Sequence, residues 1–394
     1  MSTNHLCVPP GVPPGCRASR CEVARLQWRV GDGGDPAQLL RDFCEESGLD
    51  VADLSRSGVH DVSRRLCGVA VLVSAAAGAV MIGGEPGPPS PATAVPDLAA
   101  VAYHHAPVAT SRPVGGFALT GEWEQSWTPA QHAAAVSAVR AAIGRGDVYQ
   151  VNIVGHQSAP VSGDADGVVR RLASWPQARF GGTMSGPGWT VASASPECLA
   201  EVASGVVTTA PIKGTAPATV EGARQLRRSV KERAEHVMIV DLERNDLAHV
   251  AVPGSIAVEE LFALREWGGL WQAESVIRAR LAEGTGLDRL LRGLCPPGSV
   301  TGTPKLAALE HIADLEVVGR GPAMGAMGYV TGEGLRLGLT IRTVAVAESR
   351  LHVWAGGGIT WRSDPNEEVA EAAAKATPIT AALASYTSAL TANT

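Results

Sequence analysis

Glu232 and Glu235 stand three residues apart, with His236 beside them. Glu368 and Glu371 repeat that spacing near the end of the chain, one helical turn before Lys375. On helices each pair would share a face, and two such faces could converge on one hard cation. Magnesium takes oxygen ligands, few of them from protein and the rest from water and substrate. A solvated helix face is the plainer account of any single E-x-x-E pair, and spacing alone favours it.

Lysine is scarce in this chain. Of 33 lysines and arginines only Lys213, Lys231, Lys305 and Lys375 are lysines. Arginine keeps its proton near neutral pH, whereas a partly buried lysine can shed it and act as a nucleophile or base. Lys231 reads as a solvated helix residue. Lys213 ends the apolar run Ala210-Pro211-Ile212 and precedes Gly214 and Thr215, where the glycine lets backbone approach a ligand. Glu197, in Ser195-Pro196-Glu197, lies sixteen residues before Lys213. The two could serve as acid and nucleophile, or form a surface ion pair. Arg342 would suit a substrate carboxylate, because its planar fork binds carboxylates through two bonds. The amides of Gly356-Gly357-Gly358 could cradle an anion. Neither a Walker-type phosphate loop nor a G-x-G-x-x-G run occurs, so nucleotide binding lacks support.

The elements that must position these groups can be read from capping and periodicity. Thr128-Pro129 is an N-cap followed by Pro, with Val136, Val139 and Ile143 on one face and Gly144 and Gly146 at the end. A strand over Asp147–Ile153 follows. A second helix is expected from about Glu221 to Leu242 with Leu226, Val230 and Val237 as its apolar stripe. A third begins at Thr303-Pro304 with Leu306, Leu309 and Ala313 inward. Leu335, Leu337, Leu339 and Ile341 alternate along a strand, placing Thr340 and Arg342 on its other face. Glu348-Ser349 turns a hairpin into Leu351–Trp354. Gly68–Gly84 reads as two core strands joined by a turn, too short and interrupted for a membrane span. Residues 1–21 form a Pro-, Gly- and Cys-rich disordered leader without signal-peptide features. Residues 22–119 form a smaller N-terminal part, and residues 120–385 the larger region. Helices interspersed with hairpin-linked strands favour an α+β fold over a doubly wound sheet.

Bulk properties narrow the class. A 45% hydrophobic and 18% charged composition describes a globular chain, and the net charge of −6 argues against nucleic-acid binding. The seven scattered cysteines have no C-x-x-C spacing, so neither a zinc site nor a disulfide framework is indicated, and a reducing cytoplasm is the simple inference.

Taken together, several runs resemble the chorismate-utilising enzymes over roughly residues 120–385. They are Gly146–Asn152, Ser193–Glu197, Pro211–Thr215, Ala234–His236, Asp241–Leu247, Gly298–Lys305, Ile341–Thr343 and Ala355–Ile359, matching in order and spacing. The resemblance implies two antiparallel sheets packed as a sandwich with helices outside. It implies Glu197 as general acid, Glu235 and Glu371 as ligands of Mg²⁺ supported by Glu232 and Glu368, and substrate contacts from Gly214, Thr215, Ser299, Arg342, Gly356, Gly358 and Lys375. Members that add water to chorismate carry lysine where this chain has Gln150, so Gln150 implies ammonia as the nucleophile. Lys213 in Pro-Ile-Lys-Gly-Thr matches members that aminate at C4 through a lysine adduct, giving 4-amino-4-deoxychorismate for p-aminobenzoate and folate or a specialised metabolite. Anthranilate-forming members have alanine there. Ammonia would come from solution or from a separate glutamine amidotransferase subunit. The alternatives are formation of anthranilate or 2-amino-2-deoxyisochorismate, or a catalytically impaired chorismate-binding scaffold. That last reading draws on Gln272 where the family has an active-site His and Ala323 where it has Tyr; a further departure is Ala216-Pro217-Ala218 where the family has Arg-Pro-Arg.

Overall fold

A computed structural model describes residues 19–58, 66–106 and 116–391, except 166, 169–171, 173–174, 176–177 and 268. Among these residues the strands form two sheets, paired antiparallel throughout. The larger sheet has ten strands. It runs Ser19–Trp28, Leu98–Ala106, Leu66–Val73, Ala326–Thr331, Gly334–Leu339, Cys198–Ala203, Val206–Ala210, Leu270–Arg280 and Ile212–Pro217, with Ala257–Trp267 also on Leu270–Arg280. The smaller, eight-stranded sheet is built on Gln150–Gly163 and Arg350–Ile359, followed by Thr343–Ala347, Trp189–Ser193 and Gly182–Gly186.

Alternation along the strands makes the sandwich. Val154, Met184, Val191 and Trp354 of the smaller sheet share one buried cluster with Leu72, Val101, Met327 and Leu337 of the larger. On the outer face of the smaller sheet, Val344, Leu351 and Val353 receive Ala376, Ile379 and Leu383 of the last helix, Pro365–Thr391. Val151 and Ile153 receive Val136 and Val139 of the helix Pro129–Arg145 and Leu309 and Ile312 of Lys305–Leu315. This is the α+β sandwich with helices outside. Leu66–Val73 pairs directly with Ala326–Thr331, so residues from both ends of the chain share one sheet.

Several local readings hold. Thr128 and Gln131 form a reciprocal capping box, and Gly146 ends the helix at φ 87°. Glu348 and Ser349 carry the positive φ values of a tight hairpin turn. Others are corrected. The helix expected from Glu221 to Leu242 is two helices, Val220–Arg228 and Val230–Ala248. Ser229 ends the first, and its hydroxyl caps the second by accepting from the Glu232 amide at 3.2 Å. The bend turns Val230 and Val237 outward; only Leu226 of the expected stripe is buried. Leu306 is likewise exposed, because the third helix starts at Lys305 and buries Ala308, Leu309 and Ile312. Gly68–Gly84 holds one strand and then the helix Ala75–Met81, capped by Ser74. The strand after Gly146 begins at Gln150. Ser19–Cys21 belong to the first strand, and the rest of the expected leader lies outside the described residues. No helix among the described residues is long and apolar enough to cross a membrane.

Candidate active site

Two chain crossings from sheet to sheet lie side by side, and the candidate acid sits between them. One runs from Trp189–Ser193 through Glu197 into Cys198–Ala203; the other runs from Gly334–Leu339 through Arg342 into Thr343–Ala347. They are tied by the Leu339 amide donating to the Glu197 carbonyl at 3.1 Å and the Ala194 amide donating to the Arg342 carbonyl at 3.0 Å. Thr340 and Arg342 therefore do not lie on a strand face as the alternation suggested. The strand ends at Leu339, and Arg342 takes a left-handed φ of 51° as the chain changes sheets.

Glu197 is only 7% exposed. The Ser299 hydroxyl donates to its Oε1 at 3.5 Å, a long contact, and the Ser195 hydroxyl accepts from its amide at 3.2 Å. Burial pushes the Glu197 carboxyl up to about 7, against the opposing pull of Lys213, the Ser299 bond and Arg342. The surface ion-pair reading of Glu197 and Lys213 is therefore excluded: the carboxyl is inside, and its raised pKa keeps a substantial share of it protonated near neutral pH. Burial lowers Arg342, with Glu197 opposing, and pushes His236 down to about 4, with Lys213 adding to the effect. His236 Nε2 lies 2.6 Å from the Ser275 hydroxyl on the strand beside Lys213. Glu197, Lys213, Arg342 and His236 thus occupy one electrostatic neighbourhood.

Lys213 pairs with Ala273, and Thr215 with Gln272, around a bulge at Gly214. Gly214 has φ 80°, and a Cβ there would come within 3.0 Å of Glu232 Oε2, so the glycine admits the second helix's carboxylate against the Lys213 strand. Thr215 is exposed and Gln272 buried. The glycine triplet makes a second wall, on the smaller sheet. A Cβ on Gly358 would collide with the Gln150 amide nitrogen, and one on Gly356 with the Ile153 carbonyl. A Cβ on Gly357 would lie 3.0 Å from Glu368 Oε2, 3.7 Å from Lys375 Nζ and 3.9 Å from Glu371 Oε1. Lys375 bridges Glu371 at 2.8 Å and donates to the Gly356 carbonyl at 3.0 Å. The buried Gln150 leaves its Oε1 without a bonding partner among the described residues. Gly302 and Thr303, shortly after Ser299, pair with Val151 and Gln150 and join the two walls.

Glu232, Glu235, Glu368 and Glu371 offer carboxylate oxygen only, the donor type a hard divalent cation selects. No cluster of three or more carboxylate, imidazole or thiolate side chains among the described residues could enclose a metal alone. Magnesium, which keeps water and substrate oxygens, does not require one, so the donor chemistry fits it.

Sequence reasoning gave no role to a buried acidic cluster behind Glu197. Lys305 Nζ bonds Asp246 Oδ2 at 2.9 Å, and Thr209 donates to Glu243 Oε2 at 3.3 Å. Burial, then the charges of Asp246 and Glu197, hold the Glu243 carboxyl well above the usual carboxylate range. Asp246 Oδ2 lies 3.1 Å from where a Cβ on Gly298 would be, so the ion pair packs against the turn that carries Ser299. The scarcity of lysine and the Asp241–Leu247 run were the available signals; neither reveals burial.

A family model for chorismate binding enzymes matches residues 87–381. The chain is 38% identical over 260 residues to anthranilate synthase component 1 of Streptomyces coelicolor, covering 64% of this chain and 51% of that protein. It is 38% identical over 259 residues to aminodeoxychorismate synthase component 1 of Salmonella typhimurium, covering 64% of this chain and 57% of that one. The matches thus span little more than half the length of these relatives. The crystal structure of anthranilate synthase component I from Streptococcus pneumoniae superposes with a TM-score of 0.77 at 23% identity, covering 96% of this chain and 95% of that one, a likeness of fold. With the matched segment containing both sheet crossings, the glycine wall and the carboxylate helices, this chain belongs to the chorismate binding enzyme family.

Proposed function

We propose that the protein aminates chorismate at C4, forming 4-amino-4-deoxychorismate with ammonia from solution or from a separate glutamine amidotransferase subunit. The observation that carries this reading is the buried Glu197, whose carboxyl is pushed up to about 7 in the same neighbourhood as Lys213. The C4 hydroxyl leaves poorly as hydroxide and needs such an acid. In the proposed course the neutral Lys213 amine forms a bond to C2, the ring diene shifts, the C4–O bond breaks, and the hydroxyl departs as water with the Glu197 proton. Ammonia then bonds to C4, the diene shifts back, and the C2–N bond to Lys213 breaks with its electron pair returning to lysine. The one proton released by the new C4 ammonium restores Glu197. Arg342 suits a carboxylate of the substrate, and Gln150 lines the wall where lysine would favour water. Magnesium, held by Glu235 and Glu371 with Glu232 and Glu368 in support, would neutralise a substrate carboxylate.

Anthranilate formation is the second reading, supported by the equal identity to an anthranilate synthase component; Lys213 is what argues against it. Chorismate, Mg²⁺ and ammonium supplied together should give the C4 amine, and anthranilate as the main product would establish the second reading. Lys213→Ala should abolish C4 amination, and Lys213→Arg should not restore it, since guanidinium keeps its proton.

A further inference from the structure

A cleft of about 250 Å³ opens on the outer face of the smaller sheet, between the start of the helix Pro129–Arg145 and the last helix. Its floor includes Gly155, Val353 and Ala355, and Ala372, Ala373 and Ala376 keep the helical wall low. Among the described residues, no lysine, arginine, aspartate or glutamate lines it. A Cβ on Gly155 would come within 2.9 Å of the Trp127 indole nitrogen, so the missing side chain lets the indole settle onto the strand. Trp127 stacks on His132, with ring centroids 4.5 Å apart and planes 21° from parallel.

His132 gives the cleft its chemistry. It is 5% exposed and lines the space, and neither ring nitrogen hydrogen-bonds to another described residue. Burial lowers its pKa, so near neutral pH it offers one donor and one acceptor. The ring nitrogens are not among the buried atoms left without a partner, so they meet solvent in the cleft, where a ligand would exchange that water for a hydrogen bond.

We propose that this cleft binds an uncharged planar aromatic heterocycle, lying against the Trp127–His132 stack and hydrogen-bonded to the His132 imidazole. The uncharged lining offers no counter-ion to an anion such as chorismate, and no carboxylate to a cation. Its volume falls below the roughly 300–1,000 Å³ of sites for drug-sized molecules, which fits one or two fused rings. The wall that touches the ligand belongs to the helix bearing Glu368, Glu371 and Lys375 on a neighbouring face.

Indole is the probe, titrated calorimetrically into the full chain without chorismate or metal, so that the result is independent of the reaction proposed above. One equivalent should bind. Ala373→Trp, at an exposed lining position, should fill the cleft and abolish binding. His132→Phe keeps an aromatic ring for the stack but loses the nitrogens, and should weaken binding by about tenfold. Chemical shifts of the labelled His132 ring should move on addition of indole. Absence of binding at millimolar indole overturns the proposal, as does undiminished binding to Ala373→Trp.

Discussion

Glu197 and Glu371 are carboxylates of one candidate site, yet Glu197 is 7% exposed while 47% of the Glu371 side chain meets solvent. The acid half is assembled before any substrate arrives: two crossings bonded to each other, a serine on the carboxyl, and a buried ion pair beneath the serine's turn. The other half is held by an exposed i,i+4 pair, Glu371 with Lys375, of a type that contributes only about 0.3–0.5 kcal/mol. The contrast suits the roles proposed for each. An acid needs a low-dielectric setting to retain its proton near pH 7, and that setting must be built in advance. A cation ligand needs its charge, and a weak exposed pair is easily exchanged for metal and substrate.

Removing the proton donor from the buried half should have the largest effect. Glu197→Gln keeps the shape and should lower kcat by roughly 10²–10⁴-fold with KM little changed. In the unmodified protein the acid must be protonated to act, so kcat should fall as pH rises past about 7. A rate rising smoothly through pH 9 would remove Glu197 from the acid role. Lys305→Met leaves Asp246 buried without its cation and should destabilise the fold by about 3–5 kcal/mol in urea unfolding, and adding Asp246→Asn should recover part of that loss. Glu371→Gln should separate function from stability: the apparent Mg²⁺ affinity drops by about 10–100-fold, while stability stays within about 0.5 kcal/mol. A matching loss of stability would show that the two halves are not built differently.

Glu243→Gln is the finest test. The folded-state pKa of Glu243 is raised, so the folded protein holds a proton that the unfolded chain releases above about pH 4.3. That carboxyl therefore contributes less to stability as pH climbs towards its folded pKa. The variant lacks this dependence, and its Tm should gain on wild type by roughly 2–4 °C between pH 5 and 9. A Tm difference independent of pH would show that Glu243 ionises normally.

Most of the fold was legible, and the candidate site residues could be named, because the relevant signals are local. Alternation exposed Leu335, Leu337 and Leu339, the cap-plus-Pro pair marked Thr128, and short runs around Glu197, Lys213 and Gly356 carried the family likeness. What was missed depends on where chains meet. Ser229 looks like an ordinary helix residue until the chain bends there; the Ser229-x-x-Glu232 spacing, a capping signature, was the overlooked clue. The apolar stretch after Val73 has no periodicity with which to tell strand from helix, although its alanines favour helix. Arg342 lies off any strand face because the chain needs three residues to change sheets, which alternation in one strand cannot foretell. The partner of the buried Asp246 is a lysine some sixty residues away.

The pairing of Leu66–Val73 with Ala326–Thr331 sets a timetable for synthesis. All eight residues of the earlier strand are buried in the finished protein, yet one of its two neighbours is translated roughly 250 residues later, a wait of about 13–50 s at ordinary elongation speeds. During that interval the nascent chain presents an apolar ribbon with an open hydrogen-bonding edge, the form most prone to join another chain. Yield in a cell should therefore respond to holdase chaperones and to codon speed between those two segments more than to the thermodynamic stability of the completed sandwich.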